Sequence, residues 1–311
     1  MKALVAGGAG FIGSHLCDAL IQENWDVVCV DNFFIGTEKN IEHLRSHPKF
    51  AFHNQDICAL EEMKRIFAVE QIDYVFHLAA NSDIQSSAKN PIVEYQNTYT
   101  TTFNLCECMR LSGAKKLFFA STSAVYGEKE GEAVAEDCPN LSPVSYYGAT
   151  KLGSEAVISA YSAMNDIAVL VFRFPNVIGP RLTHGVIFDF IKKLNNNPKE
   201  LEILGDGKQS KPYMYVADLV DAIIGFKDVS SGVITYNIGV ETQTNVSAIA
   251  DIVCEGLGLK DVKYNYTGGR GGWLGDVPVF AYNLDKIHAK GWNARFESDD
   301  AVRQTLHEVL K

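Results

Sequence analysis

Tyr147 and Lys151 stand four residues apart in Ser145-Tyr146-Tyr147-Gly148-Ala149-Thr150-Lys151. On a helix that spacing puts both side chains on one face. A tyrosine hydroxyl ordinarily loses its proton near pH ~10. A neighbouring ammonium favours the phenolate and lowers that value, and a phenolate can act as general base toward a substrate hydroxyl. Upstream, Ala120-Ser121-Thr122-Ser123-Ala124-Val125-Tyr126-Gly127 supplies a cluster of hydroxyls. Thr122 there can hydrogen-bond the same oxygen and hold it in line. A Tyr–Lys pair alone is common by chance on exposed helices. Its weight comes from following the hydroxyl cluster and a glycine turn in that order.

The glycine turn is Gly7-Gly8-Ala9-Gly10-Phe11-Ile12-Gly13. It follows an apolar run at once and opens a stretch of helical periodicity. Glycines in that place permit a tight turn, let the backbone approach a pyrophosphate and pack helix against strand. The helix amino end then directs unpaired N–H groups at the phosphates. Asp31 lies about the expected 20 residues further on, at the end of the second apolar run. An acid there accepts hydrogen bonds from an adenosine ribose and repels a 2′-phosphate. The next residues, Asn32, Phe33 and Phe34, bring no cation. The pattern therefore selects NAD over NADP, and oxidised nicotinamide would add a second positive charge beside Tyr147. Asp56-Ile57 is placed to touch the adenine. His77-Leu78-Ala79-Ala80 ends a fourth run with small residues that let a cofactor lie over the sheet edge, with His77 itself reading as a packed core histidine.

These residues need a scaffold, and the chain spells one. Ala3–Ala6, Val27–Val30, Phe50–His53, Tyr74–Leu78, Lys116–Ala120 and Val169–Phe172 are short, continuously apolar runs, as buried parallel strands are. Amphipathic stretches such as Phe11–Glu23 and Leu60–Val69 separate them, and Pro91–Ser112 and Tyr146–Met164 read as two longer helices. The alternation predicts an α/β fold, a Rossmann-type doubly wound parallel sheet. After Phe174 the pattern loosens through Pro175, Gly179, Pro180 and Gly185. Helices are expected over about Val186–Asn196, from Ala217, over Asn245–Leu257 and over Asp299–Leu310, with a strand near Leu201–Leu204. We expect residues 1–174 to form the NAD-binding domain. Residues 175–311 should form a smaller mixed α/β substrate-binding lobe, some segments returning to the sheet. A cleft is expected at the carboxyl ends of the strands.

The chain has 311 residues, 47% of them apolar, enough for two such lobes. Lys and Arg number 28 against 38 Asp and Glu, a formal charge of −10. That balance offers no general attraction to nucleic acid or anionic lipid. The apolar stretch before Gly7 is too short for a signal peptide or membrane span, so a cytoplasmic location is expected. Seven cysteines without a Cys-x-x-Cys pattern fit that location, and eight scattered histidines offer no metal-ligand spacing. Cys106 and Cys108, two apart, do not share a helix face.

Taken together, the chain resembles the extended short-chain dehydrogenases/reductases, specifically the NAD-dependent sugar-nucleotide epimerase/dehydratase family, and within it the UDP-hexose 4-epimerases. The similarity runs through Gly7–Gly13, Asp31-Asn32, Asp56-Ile57, His77–Ala80, Ser121–Gly127, Tyr147–Lys151, Arg173–Pro180 and Gly205-Asp206-Gly207. It implies Thr122, Tyr147 and Lys151 as the catalytic set, with Lys151 also on the cofactor. It implies substrate contacts from Ser123, Tyr147 and Asn176, a nucleotide diphosphate sugar as partner, and a homodimer built from the two long helices. Candidate cations for the diphosphate are Arg181, Lys211 and Arg270. Lys211-Pro212-Tyr213 stands where relatives often have Arg-Asp-Phe, keeping charge but losing bidentate geometry. Arg270-Gly271-Gly272-Trp273-Leu274-Gly275-Asp276 resembles the family's late arginine motif, with the arginine displaced.

In such enzymes Tyr147 would take the proton of the C4 hydroxyl while C4 delivers hydride to the nicotinamide. The 4,6-dehydratases usually carry Asp and Glu where this chain has Ser123 and Ala124, and Ala124 also excludes the cysteine of the 3,5-epimerising members. The resemblance therefore implies simple C4 redox chemistry: 4-epimerisation of a UDP-hexose, or net C4 dehydrogenation or reduction of a GDP- or other nucleotide-linked hexose or heptose. By the same resemblance Phe280 maps to the position where bulk in some 4-epimerases excludes N-acetylated sugars, which implies a non-acetylated hexose or heptose. Asn81-Ser82-Asp83-Ile84 departs from the commoner epimerase sequences, which keeps GDP and CDP sugars open. A non-catalytic NAD-binding sensor is the rival from another class, but it has no use for Thr122, Tyr147 and Lys151 together.

Overall fold

The computed structural model describes residues 1–129, 133–273 and 275–311. Leu274, inside the Arg270–Asp276 segment, lies outside the described residues. The chain forms two compact units. One comprises Met1–Val125, Tyr146–Arg173 and Val220–Tyr236, the other Tyr126–Ser145, Phe174–Leu219 and Asn237–Lys311.

The first unit is organised by a seven-stranded sheet. Its strands are β1 (Lys2–Ala6), β2 (Asp26–Asp31), β3 (Phe50–Asn54), β4 (Tyr74–His77), β5 (Lys116–Thr122), β6 (Ala168–Phe174) and β7 (Val233–Asn237), in the order β7-β6-β5-β4-β1-β2-β3. The pairs β1–β2, β2–β3, β1–β4 and β4–β5 are parallel, with Leu4 facing Val28 and Val75. The order reverses between β1 and β4, the switch point where α/β sheets open a ligand crevice. Leu4, Val28, Val75, Phe119, Val169 and Val171 are buried, which is why these runs lack alternation. The six expected strands form. The seventh, Val233–Asn237, is a returning segment that its mixed sequence did not single out.

The helices of this unit are α1 (Phe11–Gln22), α2 (Leu60–Glu70), α3 (Thr101–Ser112) and α4 (Tyr146–Asn165). The helix expected over Pro91–Ser112 is not uniform: Ile92–Glu94 is α-helical, Tyr95–Thr100 is a π-turn, and α3 follows. The threonines explain this. Thr100 Oγ1 donates to Tyr95 O (3.0 Å), Thr101 Oγ1 to Asn97 O (3.0 Å) and Thr102 Oγ1 to Thr98 O (2.9 Å). Hydroxyls competing for the carbonyls loosen the i→i+4 ladder.

The second unit carries short strand pairs, including Asn176–Ile178 with Tyr213–Tyr215 and Glu200–Ile203 with Lys263–Tyr266, both parallel. Helices Val186–Asn196, Val246–Gly256 and Ser298–Val309 enclose a core of Ile187, Phe190, Leu201, Ile203, Ile249, Val253, Val302 and Leu306. No helix among the described residues is long and apolar enough to cross a membrane.

Candidate active site

The turn after β1 is shaped by sterics. Gly7 has φ +78°, and a Cβ there would lie 2.8 Å from Ala79 N. A Cβ on Gly13 would lie 2.1 Å from Gly7 O, so only glycine lets α1 begin this close to the turn. At Gly10, by contrast, a Cβ would meet only Gly7 O within 4 Å. Gly10 precedes the first turn of α1, so the N–H groups of Phe11 and Ile12 lie at a helix amino end, the kind of place where a pyrophosphate binds. Leu78, Ala79 and Ala80 are half-buried beside it, with Leu78 N held by Ala6 O at 2.9 Å.

Asp31 is buried and already at work in the turn. Its Oδ2 accepts from Ala9 N (3.0 Å) and its Oδ1 from Phe33 N (2.8 Å). Burial raises its carboxyl from the ordinary value, while the backbone N–H groups of Phe33, Ala9 and Gly10 work against that. A carboxylate has about four acceptor positions, so room remains for a ribose. Asn32 is exposed and its Oδ1 accepts from Phe34 N (3.0 Å). Asp56, also exposed, accepts from Cys58 N (2.8 Å), while Ile57 is buried and its carbonyl accepts from Asn104 Nδ2 (2.9 Å). Two parts of this turn escaped sequence reasoning. Asn40 Nδ2 donates to Ala9 O (2.9 Å), and a Cβ on Gly36 would lie 2.8 Å from that oxygen. These residues fit NAD: a glycine cradle, an acid at the ribose position, and no Lys or Arg in Asn32–Gly36.

Thr122, Tyr147 and Lys151 are brought together between the end of β5 and the first turns of α4. Thr122 and Lys151 are buried, and Tyr147 is half-buried with its hydroxyl desolvated. Burial pushes that hydroxyl above its ordinary value and the carboxylate of Glu94 adds to this, while a hydrogen bond with Thr122 works the other way. Lys151 Nζ donates to Ala120 O at 2.7 Å and lies 4.7 Å from the centre of the Phe119 ring. Burial pulls Lys151 down to about 7, against the carboxylates of Glu94 and Glu155. Ser123 follows Thr122, half-buried, in a short 3₁₀ turn.

Beneath this group lies a braced layer. Arg173 grips Glu155 with two bonds, Nε to Oε1 (3.0 Å) and Nη2 to Oε2 (2.6 Å), and Ser121 Oγ donates to the same carboxylate. Glu155 stands four residues after Lys151, a spacing that places both on one face of α4. His77 is buried beside Lys151, with Nε2 2.8 Å from Thr102 Oγ1; burial drives its pKa well below the usual value, so it is the neutral core histidine expected.

The candidate phosphate ligands all lie in the second unit. Asn176 is exposed and bonded to the Tyr213 hydroxyl. Arg181 is half-buried in a left-handed backbone conformation (φ +70°), and Arg270 is exposed. Lys211 pairs with Asp276, which also accepts from Gly272 N (2.9 Å), and lies 4.9 Å from the Trp273 ring centre. Among the described residues no group of side chains is arranged to hold a metal ion.

A doubly wound sheet, a glycine turn at its switch point and a Thr–Tyr–Lys cluster beside it define a Rossmann-type nucleotide-dependent redox enzyme. Residues 3–239 match the model of the NAD dependent epimerase/dehydratase family, and the chain belongs to that family. It is an enzyme whose cofactor is NAD. A putative UDP-glucose 4-epimerase of Methanocaldococcus jannaschii is 32% identical over 98% of this chain and 97% of its own length. A UDP-glucuronate 4-epimerase of Thermodesulfobacterium geofontis is also 32% identical, over 98% of this chain and 94% of its own. The crystal structure of the UDP-glucuronic acid 4-epimerase from Bacillus cereus, in complex with UDP-glucuronic acid and NAD, is similar at a TM-score of 0.89 and 30% identity, covering 100% of each chain.

Proposed function

We propose that the protein inverts C4 of a UDP-linked hexose through a 4-keto intermediate. The observation that carries this reading is the convergence of Thr122, Tyr147 and Lys151 beside the glycine turn, with Ser123 and Ala124 offering no second acid–base pair. Relatives of both sequence and structure that are 4-epimerases support it.

Tyr147 Oη takes the proton of the C4 hydroxyl as the C4–H bond gives up its electron pair. NAD, when bound by the residues of the glycine turn and Asp31, would supply the acceptor for that hydride and its source on return. Thr122 holds the same oxygen in line, and Lys151 in its ammonium form stabilises the phenolate that burial alone disfavours. When hydride returns to the opposite face of C4, Tyr147 gives its proton back to the C4 oxygen, and the reaction is balanced without outside oxidant. Gly7, Gly10, Phe11, Ile12 and Gly13 cradle the pyrophosphate, and Asp31 and Asn32 hold the adenosine ribose. Asp56 and Ile57 border the adenine, and Leu78, Ala79 and Ala80 border the nicotinamide side. We assign NAD to residues 1–174 and the nucleotide sugar to residues 175–311, where Asn176, Arg181, Lys211 and Arg270 contact it. Lys211 would then be shared between the diphosphate and Asp276.

A homodimer and a cytoplasmic location complete the proposal. Tyr95, Phe103, Leu111 and Met164, on or beside the two long helices, are exposed apolar side chains of the kind a partner copy covers. Seven free thiols suit a reducing compartment. Light scattering tests the dimer. The activity is tested by incubating the protein with UDP-, GDP-, CDP- and dTDP-sugars, following products by NMR and NADH by absorbance. A C4-inverted UDP-hexose without net NADH is expected. A 4-keto product with accumulating NADH would replace this reading with net dehydrogenation.

A further inference from the structure

Glu94 is the acidic side chain that the chemistry above leaves without a task, and its surroundings are unusual. It is 0% exposed, in the short helix Ile92–Glu94 where the π-turn begins. Burying a carboxylate is costly unless its charge is compensated. Asn81 Nδ2 donates to Oε1 at 2.8 Å and Thr98 Oγ1 donates to Oε2 at 2.9 Å. The Thr98 hydroxyl in turn accepts from Asn81 N (3.3 Å), so its proton is directed at Glu94. Burial raises the Glu94 carboxyl above its ordinary value, while the bonds from Asn81, Thr98 and Ser87 and the charge of Lys151 favour its carboxylate form. From the loop Asn81–Ser87 and the π-turn, the neutral donors Asn81, Ser87 and Thr98 bond Glu94. A cation on α4, Lys151, lies within electrostatic reach of Glu94.

That helix packs directly on the π-turn, where a Cβ on Gly153 would lie 3.3 Å from the Tyr99 ring. Of the titratable groups on α4, Lys151 is attracted by Glu94 and Tyr147 is opposed by it. Around Lys151 stand the neutral His77, the Phe119 ring, the Ala120 carbonyl and Glu155. Glu155, however, is neutralised by the two bonds from Arg173. Of the two carboxylates that oppose desolvation of the Lys151 ammonium, Glu94 acts the more strongly.

We propose that Glu94 is a positioning residue that keeps Lys151 an ammonium in its buried site and, through Asn81, anchors the loop that follows Ala79-Ala80. This rests on the reading of Tyr147 and Lys151 as the reacting pair. The negative charge favours the more protonated form of that pair. Its removal therefore lowers the pH at which the pair first gives up a proton.

The test is direct titration of Lys151 by NMR in protein carrying ¹⁵N,¹³C-lysine, the resonance assigned by its loss in Lys151→Met. In Glu94→Gln, which keeps the shape and can still accept from Asn81, the Lys151 midpoint falls by about 1 on the pH scale, and the acid limb of the turnover profile moves in the same direction. In Glu94→Asp, which keeps the charge, the midpoint stays near that of the parent protein. A folded Glu94→Gln protein with an unmoved Lys151 midpoint overturns the proposal. So does an equal fall in Glu94→Asp, which would mean that geometry rather than charge is at stake. The lysine titration needs no catalysis, so it fails only with Glu94. Undiminished turnover in Tyr147→Phe would instead undo the assignment of the base.

Discussion

Lys151 is held in the fold at a cost, and Lys151→Met reveals it. Burial takes its pKa from 10.5 to about 7, and each step of one pH unit is worth about 1.4 kcal/mol. The folded-state value lies below the unfolded one. Between about 7 and 10.5 the unfolded chain therefore binds a proton that the folded chain does not, and stability rises with pH across that window. Integrated, the burden on the native state is about 4 kcal/mol near pH ~7 and about 1 kcal/mol near pH ~9.5. Methionine carries none of it. The variant loses the hydrogen bond to Ala120 O and the contact with Phe119, together worth about 2 kcal/mol. Lys151→Met is therefore expected to be at least as stable as the parent near neutral pH and less stable near pH ~9.5, while losing turnover. The assay is urea unfolding of both proteins at the two pH values. The quantity of interest is how far the stability difference between them changes with pH, about 3 kcal/mol. A change below about 1 kcal/mol would mean that Lys151 titrates near its ordinary value and that the site is not desolvated as described.

Tyr147→Phe removes one hydroxyl and should leave the fold and NAD binding intact, while turnover drops by about 10²–10⁴-fold, the range for loss of a general base. Single-turnover hydride transfer at near-parent rates would take Tyr147 out of the mechanism. Asp31→Ala leaves the N–H groups of Ala9 and Phe33 without their acceptor, a loss of about 1–3 kcal/mol of stability. It also removes the repulsion of a 2′-phosphate. Titration with both cofactors should find the preference for NAD over NADP narrowed; an unchanged ratio would remove Asp31 from the ribose site.

Much of the first unit was legible because its determinants are local. Buried parallel strands need continuous apolar runs, and all six that were expected form. The glycine turn is legible because its spacing is fixed by backbone contact, as the 2.1 Å clash at Gly13 makes plain. Tyr147 and Lys151 were legible through their helical spacing taken together with the hydroxyl cluster and the glycine turn that precede them. By the same rule Glu155 was open to detection, since it extends the series by one more turn. The Tyr95–Thr100 π-turn was not visible in apolar periodicity. It arises from threonine hydroxyls that choose among several carbonyls, a competition that depends on the packed structure.

Glu94 marks the limit of such reading. In sequence it is an acid just after Pro91, which fits the exposed first turn of a helix. Its burial depends on Asn81, thirteen residues earlier, and on Thr98, which the π-turn brings round to Oε2. Nothing in its spacing from Lys151, fifty-seven residues on (151 − 94), suggests that the two share an environment. The same holds for Lys211 and Asp276, sixty-five apart, whose pairing converts a candidate phosphate ligand into half of an ion pair. Charged residues on this acidic chain are thus poor guides when taken singly, because each cation has several carboxylates to choose from. Glycines and strand residues answer to their neighbours in sequence, and buried charges answer to distant partners that only the fold supplies.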